Sequence, residues 1–192
     1  MNLQSMCEEA ARLTDRYDEF VIESGSMYTD DALHYFNVFR DAINEAYYAA
    51  AKRLLFPTIF QTVAVPANKQ ISLTELTPQP YQIRALLNAD KTANVAFNFI
   101  DRNTIEVFVT GNVVLFYHYM PTKLTALADE PVFTEGSCDP MLYVSLAAAR
   151  MWESEKKLDL SQPWLQEYYN QLASIRSMQG STIRRVGRGM WR

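Results

Sequence analysis

The hydrophobic pattern changes its period twice along the chain, and this change limits the folds that the sequence can adopt. Up to residue 57, apolar residues recur every three or four positions, as on one face of an α-helix. From Thr58 to about residue 120, short segments rich in Val, Ile, Phe, Tyr and Thr are separated by Pro, Asn, Asp and Gly, which is typical of strands and turns. The helical spacing returns at Asp139. The sequence therefore predicts an α+β fold, in which a helical bundle holds an inserted antiparallel β module.

Two helices are predicted in residues 1–57. The first covers about the first 23 residues and ends at the Ser24–Ser26 segment, which contains a glycine. The second has Thr29 as its N-cap, with Asp30 and Asp31 at the positive end of the helix dipole. Pro57 marks its end, because proline cannot continue a helix.

The β insertion, residues 58–120, holds up to six strand-like segments. Asp101–Thr104 and Thr110–Asn112 have the composition of tight hairpin turns, and Gly111 can adopt a positive φ in the second of them. An irregular segment, Pro121–Pro131, then leads back to the helices. The predicted strands are TIFQTVAV, KQISLTEL, YQIRALLN, NVAFNFI, TIEVFV and VVLFYHYM.

Residues 121–179 are predicted to contain a loop and two more helices. Asp139 before Pro140 has the pattern of an N-cap followed by a proline in the first turn. Ala147–Ala149 permit a neighbouring helix to approach closely. The last helix is predicted to begin near Ser161, with Pro163 in its first turn.

The last thirteen residues, Gly180–Arg192, differ from the rest of the chain. They hold four arginines, no acid and three of the six glycines, whereas residues 1–180 have a net charge of about −8. Glycine loses the most backbone entropy on ordering, so the sequence predicts an extended C-terminal arm, residues 180–192, that follows a single domain, residues 1–179. Arginine and tryptophan often anchor interfaces. The arm is therefore predicted to bind a partner through Arg184, Arg185, Arg188, Met190, Trp191 and Arg192.

The composition restricts the class of protein. No window approaches the run of about 18 apolar residues that a membrane span needs, so no membrane partner is expected. The amino terminus holds acids where a secretory signal needs an apolar stretch. Cys7 and Cys138 lie far apart in sequence and are expected to be reduced structural thiols.

Little in the sequence favours catalysis, and no catalytic residue, metal site or cofactor is predicted. The two histidines, His34 and His118, fall within a predicted helix and a predicted strand, where histidine usually has a structural role. No nucleophile elbow and no glycine-rich phosphate loop is present. A metal-dependent hydrolase is the least favoured alternative, and it would use Asp129, Glu130, Asp139 and His118.

Aromatic residues with regular spacing allow two interpretations. They lie on the second helix and on the last strand, and packing into a core explains such spacing most simply. A stacking platform for nucleic-acid bases is the other interpretation, and together with the basic arm it makes a nucleic-acid-associated protein the main alternative function. The residues concerned are Tyr35, Phe36, Phe39, Tyr47, Tyr48, Phe116, Tyr117 and Tyr119.

A longer pattern begins at Val113. The aromatic strand VVLFYHYMP is followed by the loop TKLTALADEPVF, the proline-started helix MLYVSLAAARMW and the last helix PWLQEYYNQL. This order, after a helical amino-terminal half and a strand-rich insertion, resembles the head-to-tail adaptor proteins of tailed bacteriophages, also called connector or head-completion proteins. The resemblance covers most of residues 28–179.

The resemblance implies a structural virion protein that is not an enzyme. Such subunits form a ring, with twelve copies matched to the portal, that joins head to tail and continues the DNA channel. The implied partners are the portal protein and a tail or nozzle protein, with DNA passing through without specific binding. The implied location is the neck of the virion, after assembly in the host cytoplasm. The family also implies that the arm, residues 180–192, docks on the portal or on a neighbouring subunit.

Overall fold

The computed structural model of the chain describes residues 1–20, 30–54, 56–133 and 138–186, without the side chains of residues 30, 31 and 176–186. It has the predicted α+β fold. The chain divides into two compact units. The helical unit comprises Met1–Leu54 and Thr122–Arg192, and the β unit comprises Leu55–Pro121.

Five α-helices are described, all in the helical unit. They are α1 (Leu3–Leu13), α2 (Tyr17–Phe20), α3 (Asp30–Arg53), α4 (Met141–Ser154) and α5 (Leu158–Val186).

The prediction of one helix over the first 23 residues was wrong. The chain leaves the helix after Leu13, because Asp15 has a φ of 55° and the Thr14 hydroxyl donates to the carbonyl of Ala10 at 2.9 Å. Threonine hydroxyls that bond to the backbone in this way compete with helix continuation. The predicted break at Ser24–Ser26 and the predicted N-cap Thr29 lie outside the described residues.

The start of α4 has the predicted geometry. The Asp139 carboxylate accepts the N–H of Met141 at 2.9 Å, and Pro140 has helical dihedral angles. Most of α4 is buried around its whole circumference, since Leu142–Ala149 are all buried. A helix buried on every side is the centre of its unit.

The last helix is longer at both ends than predicted. It begins at Leu158, three residues before Ser161, so that Pro163 lies inside the helix. At its other end α5 continues through Val186, so Gly180–Val186 is helical and the prediction of an extended arm was wrong for these residues. One glycine costs a helix only about 1 kcal/mol, and the neighbouring residues are adequate helix formers. Gly187–Arg192 lie outside the described residues.

The β unit contains six strands in two three-stranded antiparallel sheets. The first sheet has the order β1–β6–β3 and the second has the order β2–β5–β4. Apolar residues of both sheets, among them Ile105, Leu115 and Tyr117, form one buried core. The strands are β1 (Thr58–Val65), β2 (Gln70–Ser72), β3 (Pro80–Asn88), β4 (Phe97–Phe99), β5 (Thr104–Val107) and β6 (Gly111–Tyr119).

One of the two predicted hairpin turns is confirmed. Asp101–Thr104 joins β4 to β5, and the Asp101 carboxylate accepts the N–H of Asn103 at 2.6 Å. The other prediction was wrong, because Thr110–Asn112 connects β5 of the second sheet to β6 of the first. Gly111 does have a positive φ, of 92°, which turns the chain from one sheet to the other.

Candidate interaction surfaces

The residues that the sequence predicts for the arm are only partly described. Arg184 and Arg185 belong to the last turn of α5, and the structure gives their backbone alone. Arg188, Met190, Trp191 and Arg192 lie outside the described residues. The structure therefore leaves the binding role of the arm as a prediction.

Two of the four residues of the metal-hydrolase alternative, Asp129 and Asp139, have structural roles. Asp129 closes its own loop, because its carboxylate accepts the N–H groups of Thr125 and Ala126 at 2.7 and 2.8 Å. These bonds hold the pKa of the Asp129 carboxyl below its usual value. Asp139 caps α4, and Glu130 is exposed. Among the described residues no group of three His, Cys, Asp or Glu side chains is placed to hold a metal ion.

His118 and the cysteines are buried. The Nδ1 atom of His118 lies 3.2 Å from the carbonyl oxygen of Phe56, which orients the ring within the β unit. Burial raises the pKa of the Cys7 thiol to about 12, and it also raises the pKa of the Cys138 thiol. A thiol with a raised pKa is a poor nucleophile. Both cysteines are free, as the sequence predicted.

Most of the regularly spaced aromatic residues belong to the cores. Phe36, Phe39 and Tyr47 are buried in the helical unit, and Tyr117 is buried in the β unit. The Tyr117 hydroxyl lies 2.5 Å from the Gln61 side-chain oxygen and 2.8 Å from the Pro78 carbonyl. These four side chains are unavailable for stacking with bases.

The exposed aromatic side chains lie mainly in the β unit. Among the described residues, five large aromatic side chains are at least half exposed, and only Tyr169 belongs to the helical unit. Exposed apolar side chains are typical of a protein-binding surface where they lie together, as the Phe60 ring does with Phe116. The other four are Phe60, Tyr81, Phe99 and Phe108.

One exposed aromatic ring, Phe60, has defined neighbours. Phe60 of β1 and Phe116 of β6 stack across the first sheet, with ring centres 4.3 Å apart and planes 8° apart. The Lys91 ammonium lies 5.2 Å from the centre of the Phe60 ring. In the second sheet, Phe99 lies opposite Ile105 at the turn end of the β4–β5 hairpin, whereas Phe108 follows β5 at the other end. Their side chains are exposed by 59% and 50%.

The β unit has no net charge. It has four basic and four acidic residues, so its net charge is zero, and the helical unit holds the remaining 14 basic and 18 acidic residues. A surface with no net charge and with exposed aromatic rings fits a protein partner better than a nucleic acid, because binding to a phosphate backbone depends on an excess of positive charge. The basic residues are Lys69, Arg84, Lys91 and Arg102, and the acidic ones are Glu75, Asp90, Asp101 and Glu106.

An open groove of about 510 Å³ lies within the β unit, between β1 and β2. Val63, Ile71 and Leu76 give it an apolar floor, and Gln70 and Glu75 add polar groups. Both strands are sheet edges, so the groove is the open side of the two-sheet core. It has no cluster of catalytic side chains.

The sequence did not identify these exposed aromatic residues. Burial alternates along β1, so one face of the strand is more exposed than the other. Phe60 lies on the more exposed face, and its neighbours Ile59 and Gln61 lie on the more buried face. Alternation gives the two faces of a strand but not which face lies in the core. The signal that was present is the low charge of residues 55–121 combined with their aromatic content.

None of the described helices is long and apolar enough to cross a membrane.

Comparisons with known proteins give no assignment. The chain matches no protein-family model and no curated protein sequence.

Proposed function

We propose that the chain is a structural subunit that forms a ring under the portal of a tailed bacteriophage, joining head to tail. The observation that supports this most is that the β unit has exposed aromatic side chains and no net charge. A subunit of a permanent ring needs large apolar contact surfaces. The position of the ring under the portal and its twelve copies are what the resemblance to the adaptor proteins implies.

Ring closure makes a specific demand on the subunit. Neighbours in a cyclic ring contact each other head to tail, so each subunit must present two different surfaces. The Phe60–Phe116 stack lies on the first sheet, and the exposed Phe99 ring lies on the second sheet. They are the proposed sources of these two surfaces.

The C-terminal residues are proposed to attach the ring to the portal. Arg184, Arg185 and Arg188 would pair with portal carboxylates, and Trp191 would fill an apolar pocket. The helical unit has a net charge of −4 even with these arginines included. Negative charge along a channel wall would repel DNA and let the genome slide through.

The test is the number of copies in virus particles. We expect quantitative mass spectrometry of gradient-purified particles to find about a dozen copies per particle, relative to the major capsid protein. The count should stay fixed through repeated gradients. Absence from clean particles, or a variable trace amount, would contradict the proposal.

A truncation tests the arm separately. A chain ending at Gly180 should keep its far-ultraviolet circular dichroism per residue but lose co-purification with the portal protein. The matched variant keeps the full length and changes Arg184, Arg185 and Arg188 to Gln, and it should also lose attachment. If both variants still bind the portal, the arm is not the attachment site.

A nucleic-acid-associated protein remains the second candidate. The observation in its favour is the exposed Phe60–Phe116 stack with Lys91 beside it, since rings and cations together bind single strands. Fluorescence anisotropy with a labelled oligonucleotide at physiological salt would test it. Tight binding that Phe60→Ala removes would favour this candidate, whereas binding that moderate salt abolishes is ordinary attraction to phosphates.

A further inference from the structure

Strand β1 is the least protected of the four sheet edges in the β unit. Strands β2 and β4 have three residues each, and β3 contains Arg84 and two register shifts. β1 has eight residues, no charged residue and an unbroken register with β6. Proteins usually shorten, bend or charge an exposed edge to prevent pairing with another chain.

The hydrogen-bonding pattern shows which groups of β1 are open. The Tyr119 N–H donates to the Pro57 carbonyl at 3.0 Å, so the odd-numbered residues of β1 exchange hydrogen bonds with β6. The even-numbered residues therefore direct their N–H and C=O groups towards the open edge. Within the described residues no backbone partner is found for them. These residues are Thr58, Phe60, Thr62 and Ala64.

We propose that this edge pairs with the same edge of a second copy of the chain, as antiparallel strands related by a two-fold axis. In one two-fold register, each of the four open residues of one copy pairs with an open residue of the second copy. It places Thr58 opposite Ala64 of the second copy and Phe60 opposite Thr62 of the second copy. Each of the four pairs exchanges two hydrogen bonds, and Gln61 faces its own copy on the axis.

Three properties of β1 favour a second copy over an unrelated strand. The second β1 has the same length as the edge that it covers, and neither strand has a charge to repel the other. In this register the two Phe60 rings are diagonal neighbours, which lie about 7–8 Å apart in antiparallel pairs. The Phe60–Phe116 stack would then continue across the seam as a row of four rings.

Such a two-fold pair is separate from the proposed ring. A two-fold contact joins only two copies and cannot close a larger ring by itself. The pairing therefore concerns the free subunit before assembly, and the observations that support it are those of the β1 edge alone. The copy number in virus particles has no bearing on it.

The first experiment measures the mass of the purified chain by light scattering after size exclusion. We expect twice the chain mass of 22.1 kDa. Thr62→Lys should give the monomer, because it puts two like charges at the seam. The matched control is Thr110→Lys, which adds the same charge at an exposed residue outside the strands and should remain a dimer. A monomeric natural chain, or a dimer that Thr62→Lys leaves intact, would overturn the inference.

A cysteine at the axis tests the register. Gln61→Cys should form a disulfide-linked dimer in air, because residue 61 faces itself as a non-hydrogen-bonded pair with Cα atoms about 4.5 Å apart. The Tyr117 hydroxyl keeps the Pro78 carbonyl as its acceptor in this variant. Thr110→Cys is the control and should stay unlinked. Residue 61 would not meet itself in a head-to-tail ring, so linkage distinguishes the two-fold pair from a ring contact. A purified Gln61→Cys chain that stays unlinked would overturn the register.

Discussion

At the scale of single residues, Asn44 has a buried polar side chain that makes three hydrogen bonds. It is 1% exposed and lies in α3. Its amide nitrogen donates to the carbonyls of Arg40 and Leu124 at 2.8 and 2.9 Å, and its oxygen accepts the N–H of Leu124 at 2.8 Å. The side chain thus supplies both backbone groups of Leu124 with partners and joins the segment after residue 121 to α3.

Replacing Asn44 with Ala should destabilise the helical unit strongly. The change leaves the N–H and C=O of Leu124 buried without partners, at a cost of about 1–3 kcal/mol for each unsatisfied group. We expect a lower urea midpoint for tryptophan fluorescence. Asn170→Ala, an exposed change on α5, is the control and should stay within about 0.5 kcal/mol of the natural chain. Equal midpoints for the two variants would contradict this role.

Asp129 should make the stability of its loop depend on pH. The N–H groups of Thr125 and Ala126 favour the charged carboxylate, so its pKa is lower in the folded chain than in the unfolded chain. Its contribution is therefore complete above the unfolded value, about 3.9, and is lost as the pH falls through the lower folded value. Carboxyl NMR titration should show the depressed pKa. The difference in Tm between the natural chain and Asp129→Asn should shrink as the pH is lowered from 5 to about 2. A difference that does not change with pH would exclude this contribution.

At the scale of elements, the hydrophobic period predicted the helices α3, α4 and α5 and all six strands. The period predicts these elements because a helix that buries one face, or a strand that buries alternate residues, shows this spacing in its own local sequence. The break between α1 and α2 was missed because it depends on one left-handed residue, Asp15. The path from β5 to β6 was missed because strand pairing depends on distant residues. The same turn sequence can join two strands of a hairpin or lead from one sheet to another.

Helix α4 should tolerate almost no increase in side-chain size. Ala147 is fully buried among the helices of its unit. Ala147→Leu should therefore cost about 1–3 kcal/mol from overpacking. The control on the same helix is Ser145→Ala, which should leave stability unchanged or higher. The Ser145 hydroxyl is buried, and the described residues offer it no hydrogen-bond partner. Chemical denaturation followed by circular dichroism would measure both, and an unaffected Ala147→Leu variant would show that α4 has free space beside it.

At the scale of the whole molecule, each unit has its own buried core. The core of the helical unit includes Tyr47 and Tyr143, and that of the β unit includes Ile105 and Tyr117. The sequence predicted the change of architecture but not which aromatic side chains remain exposed, since exposure depends on how the two sheets pack. It also did not show that α5 extends past Gly180. The candidate surfaces on the β unit therefore come from the structure, whereas the role of the arm remains a prediction from sequence.

Because each unit has its own core, we expect a destabilising substitution in one unit to leave the other unit folded. Ile105 is fully buried in the β unit, and Ile105→Ala should cost that unit about 2–5 kcal/mol. Residues 55–121 contain no tryptophan, and the two described tryptophans, Trp152 and Trp164, belong to the helical unit, so tryptophan fluorescence follows the helical unit and not the β unit. We expect Ile105→Ala to speed amide hydrogen exchange in peptides from residues 58–119, while the tryptophan unfolding midpoint and the exchange of α4 stay the same. Ala147→Leu should give the opposite result, with faster exchange in α4 and unchanged exchange in β6. If each variant accelerates exchange equally in both units, the chain unfolds as one cooperative body.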